Sequence, residues 1–428
     1  MKSYDVIIIG GGPAGTSAAL LLAKKGYQVA LLEQARFPRD KVCGEFISPA
    51  ADAIFSELGV LEAIESLHPL RLKGVVVSAY EQSVFQADYP PAFEAGRQMT
   101  SLSVERVVLD HLMLDRVRQS PVEVKEGFKV TDFLFDNGQV CGVSGRDESK
   151  TEFKLKARIV VDAGGRNSIS LRRLNLKSDS GRNGKIAFAA HWEGVRLPEN
   201  YCYMHISRPG YTGIAPTGEG RVNVVLVVDR KCPSVSGVDV FYRQTVLGNS
   251  LRRDMLCGGE PVEKVRIVDS LSYSVRPPQC GGLLLVGDAT GFVDPFTGEG
   301  IYLSLRSSQL AAGMVVRALD ASDFSKDWLA NYDRLRRQEF YKKILLSRIL
   351  QRLIYTPSLC IRVVETLAQQ RELAGLLVGV IGDYVPAGQV VSFGYLMRLL
   401  SGWLAGESAP SPSDPDILQP QVSRWKTK

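Results

Sequence analysis

The chain has 428 residues, of which 45% are hydrophobic and 23% are charged, and its net charge is +6. The composition is average for a globular protein, and the length exceeds one ordinary domain, so we expect two intertwined domains with substantial cores. No apolar run reaches the length of a membrane span, and Met1 leads directly into the first predicted strand, which predicts a cytoplasmic protein. Seven scattered cysteines without a Cys-x-x-Cys pair, and four histidines without ligand spacing, predict neither a disulfide framework nor a metal site.

The first motif follows directly after the first predicted strand, residues 4–9. It has Gly-x-Gly-x-x-Gly spacing, in which the first glycine allows a tight turn, the second lets backbone approach a pyrophosphate, and the third lets helix and strand pack closely. A predicted helix, residues 14–25, and a predicted strand, residues 27–33, complete a dinucleotide-binding unit. The predicted cofactor-binding residues of this unit are Gly10, Gly12, Pro13, Ala14, Gly15 and Glu33.

Glu33 ends the second predicted strand, eighteen residues after Gly15. A carboxylate there can accept hydrogen bonds from the 2′ and 3′ hydroxyls of a ribose. It would repel a 2′-phosphate, so the pattern favours an adenosine diphosphate group of the FAD or NAD type over NADP. The alternative is a solvated glutamate that precedes a loop.

The second motif, residues 285–301, opens on a buried predicted strand and ends at the start of a predicted helix. Asp288 can accept a hydrogen bond from a polyol such as a ribityl chain, while the free N–H groups at the helix start favour a partial anion. Reduced flavin develops negative charge at its N1 and O2 edge, which favours FAD over NAD. The predicted cofactor-binding residues here are Gly287, Asp288, Pro295, Gly298, Gly300 and Ile301.

Periodicity divides the chain into alternating segments of helix and strand. We expect a mixed α/β fold, with a Rossmann-like FAD-binding domain of the GR2 type, an inserted antiparallel-sheet substrate domain and C-terminal helices. The predicted segments are the FAD-binding domain at 1–70, 101–184 and 279–320, substrate-domain strands at 71–100, the substrate-binding sheet at 185–278, a helical region at 321–405 and a flexible Pro/Ser-rich tail at 406–428.

The order of these motifs resembles that of a known group of flavoproteins. The Gly10 to Gly15 turn, residues 106–110, the Gly164-Gly165 pair and the Gly287-Asp288 pair occur as in flavoproteins similar to p-hydroxybenzoate hydroxylase, over about residues 1–320. Within that group, residues 38–44 and 209–216 look most like the geranylgeranyl reductase branch.

The resemblance implies roles for particular residues. Asp288 would hold the ribityl chain, residues 298–301 would face the pyrimidine edge, Arg106 would approach the cofactor and Cys43 would lie near the isoalloxazine. Cys43 and Glu45 are the candidate catalytic residues. The alternatives are a packing role for Cys43, a surface-helix position for Arg106 and a helix-capping role for Glu45.

Two positions depart from the pattern of the resembled group. Gly164 stands where the group usually has an aspartate that contacts cofactor and nicotinamide, and Asp162 is expected to point elsewhere. Direct reduction by NAD(P)H is therefore uncertain, and an electron-donor protein is an alternative. Gly213 replaces the usual tryptophan three residues before Pro216, which predicts open space over the flavin.

These motifs predict an FAD-dependent oxidoreductase that reduces a small lipophilic, isoprenoid-like substrate. Tyr203, His205 and Tyr211 lie on predicted strands of the second sheet, where they would line the substrate cavity or pack structurally. The nearest alternative is a monooxygenase that hydroxylates an aromatic or polyketide-like molecule, and a distant one is a non-catalytic membrane-surface flavoprotein. The Trp-x-Trp-x-Ile-Pro segment of flavin halogenases is absent from the sequence.

Residues 334–362 carry eight Lys or Arg against one acid, Glu339. On a helix, Leu345, Ile349 and their neighbours would lie opposite a basic side that includes Lys343 and Arg348. This pattern predicts either peripheral contact with an anionic membrane or a solvated basic face. Nucleic-acid binding is not expected, because no stacking aromatics alternate with the charges.

Overall fold

The computed structural model describes residues 2–92, 98–178, 184–198, 200–230, 237–269 and 271–405. The predicted flexible tail, residues 406–428, lies outside the described residues. Two large sheets, two small three-stranded sheets, helices that pack against the sheets and a group of C-terminal helices make up the described chain.

The strands of the described chain are short to medium in length. They are β1 (Ser3–Ile9), β2 (Val29–Glu33), β3 (Phe46–Ile47), β4 (Leu70–Leu72), β5 (Gly74–Ala79), β6 (Ser83–Asp88), β7 (Ser101–Ser103), β8 (Glu123–Glu126), β9 (Lys129–Asp136), β10 (Gln139–Arg146), β11 (Glu152–Asp162), β12 (Lys177–Ser178), β13 (Lys185–Glu193), β14 (Tyr201–Ser207), β15 (Gly210–Gly218), β16 (Arg221–Asp229), β17 (Glu260–Pro261), β18 (Arg266–Val268), β19 (Tyr273–Val275), β20 (Leu283–Leu285) and β21 (Gly291–Phe292).

The helices lie mostly at the two ends of the chain. They are α1 (Pro13–Ala23), α2 (Ala51–Leu58), α3 (Leu61–Glu65), α4 (Arg106–Arg118), α5 (Ile169–Arg173), α6 (Val238–Leu247), α7 (Ser250–Met255), α8 (Gly300–Ala321), α9 (Lys326–Leu353), α10 (Pro357–Gln369), α11 (Arg371–Ile381) and α12 (Phe393–Ala405).

The first sheet has the strand order β8-β2-β1-β11-β10-β9, and β20 also pairs with β11. Its central strands are parallel and buried on both faces, so they read as continuous apolar runs such as residues 6–9. Helices α1 and α8 pack on one face in a shared core that includes Val6, Leu20 and Leu305. The carboxyl ends of β1, β2 and β20 therefore meet at one edge, where both predicted cofactor motifs begin.

The second sheet has the order β17-β13-β16-β15-β14-β5-β6, and β18 also pairs with β13. It is antiparallel except for the β5–β14 pair, which is parallel. Alternate side chains face opposite sides: Val76 and Val224 pack in the core that includes α6, whereas Val75 and Val227 face the C-terminal helices.

The fold agrees with the predicted mixed α/β class, a Rossmann-type domain with a separate sheet. No single helix in the described ranges is long and apolar enough to cross a membrane. The pair α9 and α10, bent by 117° between them, has the length and composition of a span only when the two helices are taken together. In the same ranges, no cluster of three His, Cys, Asp or Glu side chains could hold a metal ion.

Candidate cofactor and substrate site

A cavity of ≈ 680 Å³ lies between the two sheets. One end is polar and is lined by charged residues from the loops of the first sheet, with five cations and three acids. The other end is lined by apolar residues of the second sheet. The charged lining residues are Glu33, Arg39, Asp40, Lys41, Arg106, Arg166, Arg172 and Asp288.

The glycine turn after β1 is built for close backbone approach. Gly10 adopts φ +101°, and a Cβ atom there would lie 2.7 Å from the carbonyl oxygen of Ala163. A Cβ atom on Gly15 would lie 1.8 Å from the carbonyl oxygen of Gly10. Gly10, Gly12 and Pro13 line the cavity, and Pro13 is the first residue of α1. The free N–H groups of that helix therefore face the polar end.

Two predicted residues of the same turn do not reach the cavity. Ala14 and Gly15 are buried against other elements, and the carbonyl oxygen of Ala14 accepts a hydrogen bond from Ser308 Oγ at 2.8 Å. Gly287 also lies behind the lining, since a Cβ atom there would be 2.9 Å from the Cβ of Ala14. Ala14, Gly15 and Gly287 allow α1, α8 and the second motif to pack closely, and this packing positions the residues that line the cavity.

Glu33 lines the polar end and is buried. Its carboxylate accepts hydrogen bonds from the backbone N–H groups of Gly11 at 2.7 Å and Ala35 at 2.9 Å. Each carboxylate oxygen can accept further hydrogen bonds. The geometry suits a ribose diol and argues against the alternative of a solvated side chain.

Arg106 is also buried and lines the cavity, so it is not a surface-helix residue. Its guanidinium donates to both carboxylate oxygens of Asp110 at 2.8 Å, and Arg39 approaches the same carboxylate at 3.2 Å. Burial alone would lower the pKa of Arg106, but Asp110 and the Cys43 side chain raise it. Burial and the charge of Arg106 lower the pKa of Lys41 on the same wall.

The second motif places the start of α8 at the cavity. Asp288, Gly298, Gly300 and Ile301 line it. Pro295 begins a 3-10 turn, Pro295–Thr297, that leads into this helix. The helix N-terminus thus offers positive potential to a partial anion in the cavity.

The two candidate catalytic residues have different positions. Cys43 lines the cavity, and its backbone carbonyl accepts a hydrogen bond from Asn223 Nδ2 at 2.7 Å. Glu45 does not line the cavity: it is 2% exposed, and its Oε2 lies 2.9 Å from His191 Nε2. Its Oε1 accepts a long hydrogen bond, 3.4 Å, from the N–H of Arg106 at the start of α4. The structure therefore places Glu45 behind the cavity wall, in contact with His191 and with the start of α4, where its alternative as a helix-capping residue was expected.

The three predicted substrate residues have different positions. Tyr211 lines the cavity, but Tyr203 and His205 do not. Their neighbours Cys202 and Met204 line it instead, because side chains on β14 alternate between the two faces of the sheet. The sequence alternation could have identified this pair, had the face of the strand been known.

His205 is held within the protein core. Its Nδ1 lies 2.7 Å from Ser78 Oγ, and burial, with the charge of Arg252, lowers its pKa to about 3. It is therefore neutral at ordinary pH and has a structural role.

The two departures from the resembled pattern have clear structural consequences. Asp162 points away from the cavity and accepts hydrogen bonds from Gly164 N at 2.9 Å and Ser168 Oγ at 2.6 Å. Gly213 lines the cavity, and a Cβ atom there would meet only Met204 Cε, at 3.7 Å. The space expected at this position is present.

A buried ion pair that the sequence did not reveal joins the second sheet to the loop before α8. Lys185 Nζ on β13 lies 2.7 Å from Asp294 Oδ2 in the loop before α8, and both side chains are at most 2% exposed. Tyr211 donates from its hydroxyl to Asp294 Oδ1 at 2.5 Å. The acid in the second motif was visible in the sequence, but its partners come from strands about a hundred residues earlier.

The donor set fits FAD. Side chains at the glycine turn would prevent its backbone from approaching a pyrophosphate. The polar end of the cavity has more cations than acids, which favours the charge of a pyrophosphate. Glu33 and Asp288 are placed to bind two polyol groups. Fold and site together define a flavin-dinucleotide-binding protein. Residues 3–339 match a family model described as FAD binding domain, and the chain belongs to this family. Its cofactor is FAD.

Relatives of this chain carry out different chemistry. It is 28% identical over 363 residues to the 1H-pyrrole-2-carbonyl-(peptidyl-carrier protein) chlorinase of Pseudomonas fluorescens, which covers 78% of this chain and 80% of that protein. It is 27% identical over 356 residues to the digeranylgeranylglycerophospholipid reductase of Thermoplasma volcanium, covering 81% and 86%. A flavoprotein/dehydrogenase from Cytophaga hutchinsonii has the same fold, with a TM-score of 0.83, 21% identity and coverage of 95% of this chain and 100% of that one.

Proposed function

We propose that this FAD-dependent enzyme reduces a lipophilic, isoprenoid-like substrate. The main support is the wall of the cavity formed by the second sheet, which is apolar over β5, β14 and β16 and presents Val77, Met204 and Val225. An apolar wall favours binding of hydrocarbon over polar molecules because burial of apolar surface supplies the free energy. Similarity to a digeranylgeranylglycerophospholipid reductase is consistent with this choice.

Bound FAD would supply the hydride chemistry, and the protein would orient the substrate, exclude water from the cavity and supply a proton. The apolar wall orients the substrate and excludes water. Cys43 lies at the cavity beside the Arg106 guanidinium, and we propose its thiol or an ordered water as the proton donor to the substrate. Glu45 is excluded from this role by its contacts with His191 and the start of α4.

The second candidate is chemistry that uses oxygen, either hydroxylation or halogenation. The similarity to a pyrrolyl-carrier-protein chlorinase favours it, and the same FAD site would serve it. The open space at Gly213 would accept a flat aromatic group as readily as a chain. The two candidates differ in one measurable respect, the need for oxygen.

The experiment compares two probes in the absence of oxygen. The FAD of purified enzyme is reduced, then mixed with geranylgeraniol or with its fully saturated analogue phytanol as the matched control. We expect reoxidation of the flavin, and a product with two added hydrogens, with geranylgeraniol only. The reductase proposal is wrong if two results are found together. The flavin stays reduced with unsaturated lipids, and addition of oxygen and chloride gives products that contain oxygen or chlorine.

The electron donor is tested separately. Because Asp162 is engaged with residues 164–170 and Gly164 has no side chain, the wall offers no carboxylate at the position usual for nicotinamide contacts. We propose an electron-donor protein, with slow reduction by NADH and NADPH in a rapid-mixing assay. Fast reduction by either nucleotide would establish the alternative donor.

We also propose that α9 and α10 contact an anionic membrane surface. Arg337, Lys342 and Arg348 are exposed, and apolar Tyr341 and Ile349 beside them are 65% and 47% exposed. Cations near apolar groups favour the surface of an anionic bilayer. Co-sedimentation with phosphatidylserine vesicles but not with phosphatidylcholine vesicles is expected, and Arg348→Glu should weaken it. Equal binding to both, or to neither, would contradict the proposal.

A further inference from the structure

Three charged side chains meet directly behind the loop that leads into α8. Lys343 Nζ on α9 lies 3.1 Å from Glu299 Oε1, contacts Asp383 Oδ1, and donates to the carbonyl oxygen of Val380 at 2.8 Å. The side chains of Glu299, Lys343 and Asp383 are 4%, 11% and 0% exposed. We call these three residues the buried triad. Its position corrects the expected helix pattern, because Lys343 faces inward rather than belonging to a basic outer face.

The buried triad separates two cavities. Glu299 lies between Gly298 and Gly300, which line the cofactor cavity. Lys343 and Asp383 line a second cavity of ≈ 650 Å³ on the other side, together with exposed Tyr341 and Lys342. The chain of contacts from the second cavity to Glu299 is continuous, and Glu299 itself lies in neither lining.

The charge balance of the triad is incomplete when all three groups are ionised. Two carboxylates face one ammonium, and a buried charge without a partner is costly, so the site favours binding one proton. Burial, with a smaller contribution from the charge of Asp383, raises the pKa of Glu299 to about 7 against the opposing effect of Lys343. Burial likewise raises the pKa of Asp383.

The place of Glu299 at the start of α8 connects this proton to the cofactor. The N-terminus of α8 favours negative charge in the cofactor cavity, whereas an ionised Glu299 at the same terminus opposes it. Reduction of the flavin adds negative charge on the cavity side. A carboxylate nearby becomes easier to protonate when this happens, since like charges repel.

We propose that Glu299 takes up a proton when bound FAD is reduced, and that Lys343 and Asp383 deliver it from the second cavity. Reduction of bound FAD by two electrons, with one proton taken up by the flavin from solvent or from the reductant, would leave one added negative charge on the cavity side. A second proton, from water in the second cavity, passes along Asp383 and the Lys343 ammonium and forms an O–H bond on Glu299. Reoxidation of the flavin reverses the uptake and releases that proton.

The groups that face Glu299 come from several elements. Lys343 approaches from α9, Asp383 from the turn after α11 and Thr297 from the turn before α8. Ser48 and Tyr302 of α8 lie near Asp383. Burial, with the charge of Asp383, raises the pKa of Tyr302 to about 12, so this phenol stays neutral. Glu299 is therefore the group whose proton content responds near neutral pH, and the charge of Asp383 acts on it.

The test is the pH dependence of the midpoint potential of bound FAD, measured in dye-coupled anaerobic titrations without any substrate. For the wild type we expect a steeper fall of potential with pH just above neutrality than on either side, which marks the extra proton. Glu299→Gln should lose the steep segment and have a higher potential at alkaline pH. Since no substrate takes part, the result is independent of whether the enzyme reduces or halogenates.

Two further variants distinguish the loss of a titrating group from a general loosening of the loop before α8. Glu339→Gln removes the same charge from the wall of the second cavity, where Glu339 pairs with Arg306, and should keep the wild-type profile. Asp383→Asn should move the steep segment to lower pH, because it removes a charge that raises the pKa of Glu299. A steep segment that persists in Glu299→Gln, or that stays in place in Asp383→Asn, would overturn the proposal. If Glu299→Gln does not retain FAD, Asp383→Asn alone decides.

Discussion

The two ends of the cavity are built by different means. The polar end is held by backbone N–H groups, glycines without room for a Cβ atom, and ion pairs such as Arg106–Asp110. The apolar end is formed by alternate side chains of the second sheet, such as Met204 and Val225, whose packing depends on their size and shape. The first end tolerates almost no change and fixes the cofactor. The second can vary and still fold, so relatives with one cofactor can act on different substrates.

The largest expected effect tests how little change the polar end tolerates. Gly15→Val should abolish FAD binding, because even a Cβ atom at this position would lie 1.8 Å from the carbonyl oxygen of Gly10. The FAD absorbance of purified protein measures it. Gly313→Ala, on exposed α8 surface with open space around it, is the matched control and should retain FAD. A yellow Gly15→Val protein would refute the close packing of turn and helix.

The next effect tests the buried ion pair that joins the second sheet to the loop before α8. Lys185→Met leaves Asp294 as a buried charge without its partner, which costs about 3–5 kcal/mol of unfolding free energy. Denaturant unfolding measures this change. Arg243→Met breaks an ion pair of similar type whose side chains are 45% and 65% exposed, and should leave stability unchanged within error. Equal losses in both variants would show that the Lys185–Asp294 pair has no special role.

A smaller effect should be confined to the apolar end. Gly213→Leu adds side-chain atoms that occupy substrate space in the cavity, and because a methylene-sized change in an apolar pocket alters substrate discrimination by about 1–3 kcal/mol, substrate turnover should fall about tenfold or more. FAD content and unfolding free energy should stay near those of the wild type. Gly213→Ala, whose Cβ has ordinary contact distance to Met204, should remain active. Loss of FAD in Gly213→Leu would contradict the independence of the two ends.

The smallest effect concerns two histidines of the second sheet that behave in opposite ways. Burial alone would lower the pKa of His191, but the hydrogen bond and charge of Glu45 raise it to about 9. Its contribution to stability is therefore full below pH 6.5 and is lost as pH rises through about 9. His205, with a pKa lowered to about 3, instead destabilises the fold as pH falls below 6.5.

Unfolding free energies of His191→Gln and His205→Gln across this pH range separate the two effects. The wild type should lose more stability than His191→Gln between neutral pH and pH 9. On the acid side, it should lose more than His205→Gln. Parallel curves for wild type and His191→Gln would show that its contacts with Glu45 and Glu263 do not hold a proton.

The sequence by itself determined the cofactor end. The roles of Gly10 and Gly15 depend on neighbours a few residues away. Glu33 ends β2, and Asp288 lies in the short 3-10 turn that follows β20. Local spacing is preserved whatever the remainder of the chain does. The mixed α/β fold and FAD followed from these units.

Only the tertiary structure decided the substrate end and the charges behind the cofactor. Tyr203 and Met204 are adjacent in sequence, and the strand alternation is visible there, but which face meets the cavity depends on how the sheet packs against the first domain. Lys343 looked like part of a basic surface and proved to be buried against Glu299 and Asp383. Such contacts join residues far apart in the chain, and a local pattern carries no information about which distant group will satisfy a buried charge.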